Sequence, residues 1–131
     1  MTSGEQYIYE LVRAELKEDL VPQRFRGVVD SSFCGHCHHA TLAMYYLLGG
    51  KQKGYTVRAA RDELNIGHYW LVSPDGEIID PTAEQYTDLN RPLPYSAALQ
   101  TRISYRRTRA TTQIIDNVRA LLQLKSEQHC E

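Results

Sequence analysis

Residues 31 to 50 read Ser-Ser-Phe-Cys-Gly-His-Cys-His-His-Ala-Thr-Leu-Ala-Met-Tyr-Tyr-Leu-Leu-Gly-Gly, and they hold two of the three cysteines and three of the five histidines at the mouth of an apolar run. From Ala40 the apolar residues return at Ala43 and Leu47, with Met44 and Leu48 beside them, the i, i+3, i+4 rhythm of a buried helix. Gly49-Gly50 stops it. The helix is therefore expected to begin between Gly35 and Cys37. A cysteine there meets unpaired backbone N–H groups and the positive end of the helix dipole, and both favour thiolate over thiol. Cys37 is the better placed nucleophile, with Cys34 just outside the helix.

A helix of this kind needs a partner layer, and Gly67-His-Tyr-Trp-Leu-Val-Ser-Pro-Asp-Gly-Glu-Ile-Ile-Asp-Pro-Thr82 supplies one. Two β-rich runs flank Pro74-Asp75-Gly76, so the stretch reads as a hairpin. Proline suits the first central position of a type I turn, and Gly76 can take the left-handed conformation of a three-residue loop with a bulge. That loop makes Ser73 and Glu77 neighbours. Counting back, Val72 faces Ile78, Trp70 faces Asp80 and His68 faces Thr82, with all six side chains on one face. His68 and Asp80 become diagonal neighbours, roughly 7 Å apart and within reach of each other. A two-residue turn would put Asp80 on the opposite face.

Around these two stretches the pattern is simpler. Ser3-Gly4-Glu5-Gln6 has the spacing of a capping box, and Ile8, Leu11, Val12 and Leu16 follow at helical intervals as far as Leu20, with Glu10, Arg13, Glu15 and Lys17 outward. Pro22 ends that helix, and a connector with Phe25, Val28 and Val29 leads to the cysteines. Lys51 to Gly54 reads as a turn, residues 55–61 as a strand, Asp62 to Gly67 as a loop, and Pro81 to Pro94 as loop or a short helical turn. Leu99 to Tyr105 is expected as a final strand. Thr111 or Thr112 should cap a last helix that buries Ile114, Ile115, Val118, Leu121 and Leu122, with a tail that frays after Lys125.

At 131 residues the chain is expected to form one domain, 1–131, with a modest core. A net charge of −1, with both signs interspersed, carries no footprint for nucleic acid or an anionic membrane; the one basic knot is Arg106, Arg107 and Arg109. There is no basic-then-apolar leader and no apolar run near 18 residues, so a soluble, cytoplasmic protein is expected. An odd cysteine count in a reducing compartment favours thiols over a disulfide framework, with Cys130 an exposed bystander.

Cys37 at a helix start, His68 as base and Asp80 as the group that orients the imidazole make a complete thiol site: a thiolate attacks, the imidazolium stabilises it and protonates the leaving group, and the carboxylate fixes the tautomer. Cys34-Gly35-His36-Cys37 resembles the Cys-Gly-x-Cys of papain-type cysteine proteases, whose second cysteine is the nucleophile. His68-Tyr69-Trp70 followed by Asp80-Pro81-Thr82 is similar to the His-x-Trp and Asp-x-Thr pattern of transglutaminase-like domains. The resemblance covers residues 31 to 86. It implies a papain-like/transglutaminase-like core, reduced to a minimum because the Cys-to-His interval is far shorter than in papain. Papain-type enzymes carry an oxyanion-stabilising Gln where this chain has Ser31, which leaves the Cys37 backbone N–H in that role.

Rival readings use the same residues. Cys34 to His38 satisfies the Cys-x-x-Cys-His of c-type haem attachment, which goes with export. Cys34, Cys37 and two histidines could hold zinc, although no second ligand pair at finger spacing follows. A thioredoxin-like pair would need a preceding βαβ strand. The blandest alternative makes the cysteines small buried residues, the histidines helix-start polar groups and Asp80 a turn residue, in a catalytically silent binding or inhibitor protein. The conjunction of a helix-start Cys with a His and an Asp on one sheet face favours the thiol site. The expectation is thus an α+β domain whose nucleophile-bearing helix packs on a small antiparallel sheet, acting in amide hydrolysis or acyl transfer on a protein or peptide substrate with no metal or organic cofactor. Ser31, Gly35, His36, Trp70 and Gln85 are candidates for the cleft wall, with Trp70 shielding the His–Asp pair from water.

Overall fold

The computed structural model describes residues 1–16, 36–97 and 102–129, the side chains of the last helix being described through residue 125. The continuation of the first helix to Leu20, the connector at 22–32, Ser31, Cys34, Gly35 and Cys130 lie outside the described residues. The described residues form four helices and three strands: α1 (Ser3–Ala14), α2 (Cys37–Leu47), β1 (Thr56–Arg61), β2 (Gly67–Val72), β3 (Ile78–Ile79), α3 (Glu84–Thr87) and α4 (Arg109–His129), with a 3-10 turn at Gly50–Lys53. The architecture is α+β, with a three-stranded antiparallel meander in the order β1-β2-β3. Among the described residues no helix is long and apolar enough to cross a membrane.

α2 is the centre of the core. It touches β1 and β2, and also α1 and α4, which touch each other. The apolar rhythm named one stripe, but every residue from His39 to Tyr45 is buried because neighbours cover the helix all round. Ile8 and Val12 of α1, Ala40, Leu42, Ala43 and Met44 of α2, Val57, Leu71 and Ile79 of the sheet, and Ile114, Ile115 and Val118 of α4 form one cluster. Thr41 Oγ1 donates to the Tyr69 carbonyl at 3.3 Å and pins α2 to β2.

The hairpin has the three-residue loop. Ser73 N donates to Glu77 O at 2.9 Å, Gly76 N donates to Ser73 O at 2.9 Å, and Gly76 sits at φ 83°. Val72 pairs with Ile78 and Leu71 with Ile79, the register counted from the turn. β3 is shorter than the expected 77–82: the ladder stops at Ile79, and Asp80 follows it.

Several expectations are corrected. α1 is capped by Thr2 instead of Ser3: its side chain accepts from Glu5 N while Glu5 reaches back to Thr2 N, a capping box shifted by one residue. Arg13 and Glu15 do not simply face solvent, since Arg13 Nη1 donates to Glu84 Oε1 at 2.7 Å and Asn117 Nδ2 donates to Glu15 Oε1 at 2.6 Å. Residues 102–105 form no strand. Their carbonyls serve side chains, with Tyr46 Oη donating to Tyr105 O at 2.7 Å and His38 Nε2 3.1 Å from Ser104 O. α4 is capped by Thr108, whose Oγ1 accepts from Thr111 N at 3.2 Å. Leu121 is exposed, and α4 continues past Lys125 to His129.

Candidate active site

Cys37 is the first residue of α2, where the sequence places it, and its thiol is partly exposed. His36 precedes it in helical conformation and gives the helix no side-chain cap. The thiol points across to the start of β2, with Sγ 3.9 Å from the Gly67 carbonyl oxygen. The next residue of that strand is His68. Strand alternation puts His68 and Trp70 on the face opposite Tyr69 and Leu71, and the segment after β3 covers it.

His68 is completely buried, and its Nε2 lies 2.6 Å from Asp80 Oδ2. Its Nδ1 is buried without a hydrogen-bond partner. Burial is the largest influence on the ring and opposes its charge; the hydrogen bond to Asp80, the neighbouring Cys37 and the charge of Asp80 together outweigh it and push the pKa up to about 9. With Nε2 committed to Asp80, Nδ1 is the nitrogen left for Cys37. Trp70 stacks on the imidazole with ring centres 6.1 Å apart, and Tyr86 meets it edge-on at 4.8 Å.

Asp80 has just left the ladder and is buried and fully engaged. Besides His68, its Oδ2 accepts from Tyr95 Oη at 2.6 Å, while Oδ1 accepts from Thr82 N at 3.1 Å and Thr82 Oγ1 at 3.4 Å. The edge-on Tyr86 is fixed in turn. Its Oη donates to Asp62 Oδ2 at 2.7 Å, an oxygen shared with Arg91 at 3.1 Å, and Asp62 Oδ1 accepts from the backbone N–H of Leu64 and Ile66. Burial, followed by the bond to Asp62, pushes the Tyr86 phenol well above its ordinary range.

Cys37, His68 and Asp80 are therefore brought together, with Trp70 as a wall that is 2% exposed. His36 is also 2% exposed, with its Nδ1 2.6 Å from Nε2 of the buried His39. Burial, with His36 and His38 beside it, holds His39 down to about 3. Gln85 sits on α3 half-buried, its Oε1 buried without a hydrogen-bond partner, and none of the three site residues bonds to it. Ser31 and Gly35 lie outside the described residues. The zinc reading depends on Cys34, also outside them; among the described residues no group of three or more His, Cys, Asp or Glu side chains could hold a metal ion. An open depression lined by Arg107, Thr108, Arg109, Thr112, Gln113, Asp116 and Asn117 includes none of the site residues.

Tyr95 and Asp62 escaped the sequence reading. Both act across loops, where no periodicity marks a partner. The His36–His39 spacing of three on a helix start did carry a signal, since such residues are neighbours. No family model, curated protein or solved structure matches this chain.

Proposed function

We propose that the chain is a thiol-dependent enzyme of amide hydrolysis or acyl transfer, built on a minimal papain-like/transglutaminase-like core and acting on a protein or peptide substrate. The observation that carries the reading is His68, buried with Asp80 on one ring nitrogen and the other nitrogen unpartnered beside Cys37. The order of parts supports it: Cys at the start of a helix, His on a strand, Asp just past the next strand.

The chemistry follows from those positions. Cys37 attacks as the thiolate with His68 protonated; a C–S bond forms to the substrate carbonyl carbon, and the carbonyl electron pair moves to oxygen. Backbone N–H at the start of α2, that of Cys37 first, stabilises the oxyanion. Its collapse breaks the C–N bond, and the leaving amine takes the His68 proton. A thioester remains on Cys37. Water or a second amine then attacks it, His68 accepts the proton released, and the thiolate departs. Asp80 keeps the Nε2 proton in place throughout, so that Nδ1 exchanges protons with the reacting groups.

Limiting iodoacetamide followed by mass mapping tests this reading. Cys37 should alkylate ahead of Cys34 and Cys130 near neutral pH, and His68→Ala should slow it. If Cys34 or Cys130 reacts first while Cys37 stays intact, the nucleophile assignment fails and a catalytically silent binding protein becomes the better reading.

A further inference from the structure

Asp80 Oδ2 is shared by two donors at the same distance, His68 Nε2 and Tyr95 Oη, each at 2.6 Å. Tyr95 directly follows the buried Pro94 on the segment after α3, as the second residue of a turn closed by Ala97 N donating to Pro94 O at 3.1 Å. Proline fixes the backbone there at one φ, so the phenol arrives from a rigid support. The Tyr95 ring also lies 5.1 Å from that of Trp70, the residue that stacks on His68. One side chain thus touches both groups that set the imidazole, its carboxylate partner by hydrogen bond and its aromatic wall by ring contact.

We propose that Tyr95 is a positioning residue for the Cys37–His68–Asp80 site, its hydroxyl fixing the direction of Asp80 Oδ2 and tempering that oxygen's hold on His68 Nε2. The inference rests on the acyl-transfer reading. Thr82 holds Oδ1 by its N–H and hydroxyl, so without Tyr95 the one donor left on Oδ2 would be His68 itself, and nothing besides the imidazole would fix that oxygen's direction. A donor on a carboxylate oxygen draws charge from it and weakens what that oxygen offers to a second donor. Tyr95 is suited to the part because it stays a neutral donor: burial, and then the charge of Asp80 and the bond to it, raise its phenol well above the ordinary value. The other titratable groups facing His68 are Cys37 and Tyr86, the latter turned to Asp62.

The test is the His68 titration followed by NMR at the ring carbons, in the full chain. Tyr95→Phe keeps the ring against Trp70 and removes only the donor, so His68 should titrate higher by about half a pH unit. 3-Fluorotyrosine at position 95, a stronger donor, should move it lower. In an Asp80→Asn background Tyr95→Phe should leave His68 unmoved, because the effect passes through the carboxylate. No change from either replacement, or the same change with and without Asp80, would make Tyr95 a packing residue and overturn the proposal. Cys37 alkylation in the same samples separates the two claims. A reactive Cys37 with an uncoupled His68 sinks the role of Tyr95 alone, whereas an inert Cys37 with a coupled His68 sinks the acyl-transfer reading.

Discussion

His36 and His39, one turn apart at the start of α2, meet ring to ring with Nδ1 2.6 Å from Nε2, and neither is more than 4% exposed. One nitrogen of that contact must carry the proton and the other accept it, so a proton added to the accepting nitrogen would turn two N–H groups on each other and place a positive ring at the positive end of a helix.

Stability should accordingly peak near pH 6.5. His39 is held down to about 3 from its ordinary 6.5, so the unfolded chain binds the proton first and stability is lost as pH falls below 6.5. His68 is pushed up to about 9, so its contribution is complete below 6.5 and is lost as pH rises through 9. Each limb amounts to a few kcal/mol at its far end, on the order of 1.4 per pH unit. Urea midpoints between pH 4.5 and 9.5 check it, with His39→Asn flattening the acid limb and His68→Gln the alkaline one. A midpoint still rising at pH 9 would contradict the assignment of His68.

Arg13 joins α1 to the short helix that carries Tyr86, through its 2.7 Å bond to Glu84 Oε1 and a second bond to the Tyr9 hydroxyl. Both members of the ion pair are mostly buried, with side chains 24% and 28% exposed, so the pair is screened less than a surface one. Arg13→Gln should cost about 1–2 kcal/mol. Combined with Glu84→Gln the loss should be less than additive, and full additivity in a thermal-unfolding cycle would show that the two residues act separately.

The parts of this molecule that can be read from the chain are those set by local rules. The start of α2 at Cys37 follows from apolar rhythm and its glycine stop, and the meeting of His68 with Asp80 follows from the three-residue loop that Pro74 and Gly76 suit, the two-residue alternative being decided against by the Ser73–Glu77 closure. Failures have physical causes of two kinds. Thr2 and Thr108 compete as caps with Ser3, Thr111 and Thr112, and only the backbone direction chooses between hydroxyls one to four residues apart. The other kind is tertiary. Tyr105 and its neighbours have strand-like composition, but their carbonyls meet the Tyr46 and His38 side chains before any ladder, and Tyr95 finds Asp80 across a loop that no pattern announces.

Gly76 should behave as a conformational requirement with no packing component. At φ 83° it occupies the left-handed region, and a Cβ there would meet nothing within 4 Å. Gly76→Ala should therefore destabilise by about 1 kcal/mol through backbone strain alone, and Gly76→Asn by less. Because the ladder register is retained, His68 should titrate as in the wild type in both variants. A lowered His68 titration in Gly76→Ala would mean that the strain is relieved by a register slip that carries Asp80 away.

Asp80→Asn isolates what the carboxylate does for the imidazole. Burial is the largest influence on His68 and acts downward; what holds the ring near 9 is Asp80, by hydrogen bond and charge, with help from Cys37. With the amide oxygen turned to the Nε2 proton its NH2 can donate to the Thr82 hydroxyl; only the Thr82 N–H loses its acceptor, a cost of about 1–3 kcal/mol that the fold should survive. The carboxylate charge is gone. His68 should then titrate more than two pH units lower, below about 7. At neutral pH the ring would become the neutral form, without a proton for the leaving group or a positive charge beside the Cys37 sulfur. Alkylation of Cys37 at pH 6 should fall on the order of 10- to 1000-fold, to a rate between wild type and His68→Ala. If Asp80→Asn titrates and alkylates like the wild type while Asp80→Ala unfolds, Asp80 is a structural residue that anchors Thr82 and Tyr95, and the orienting group for His68 is a different one.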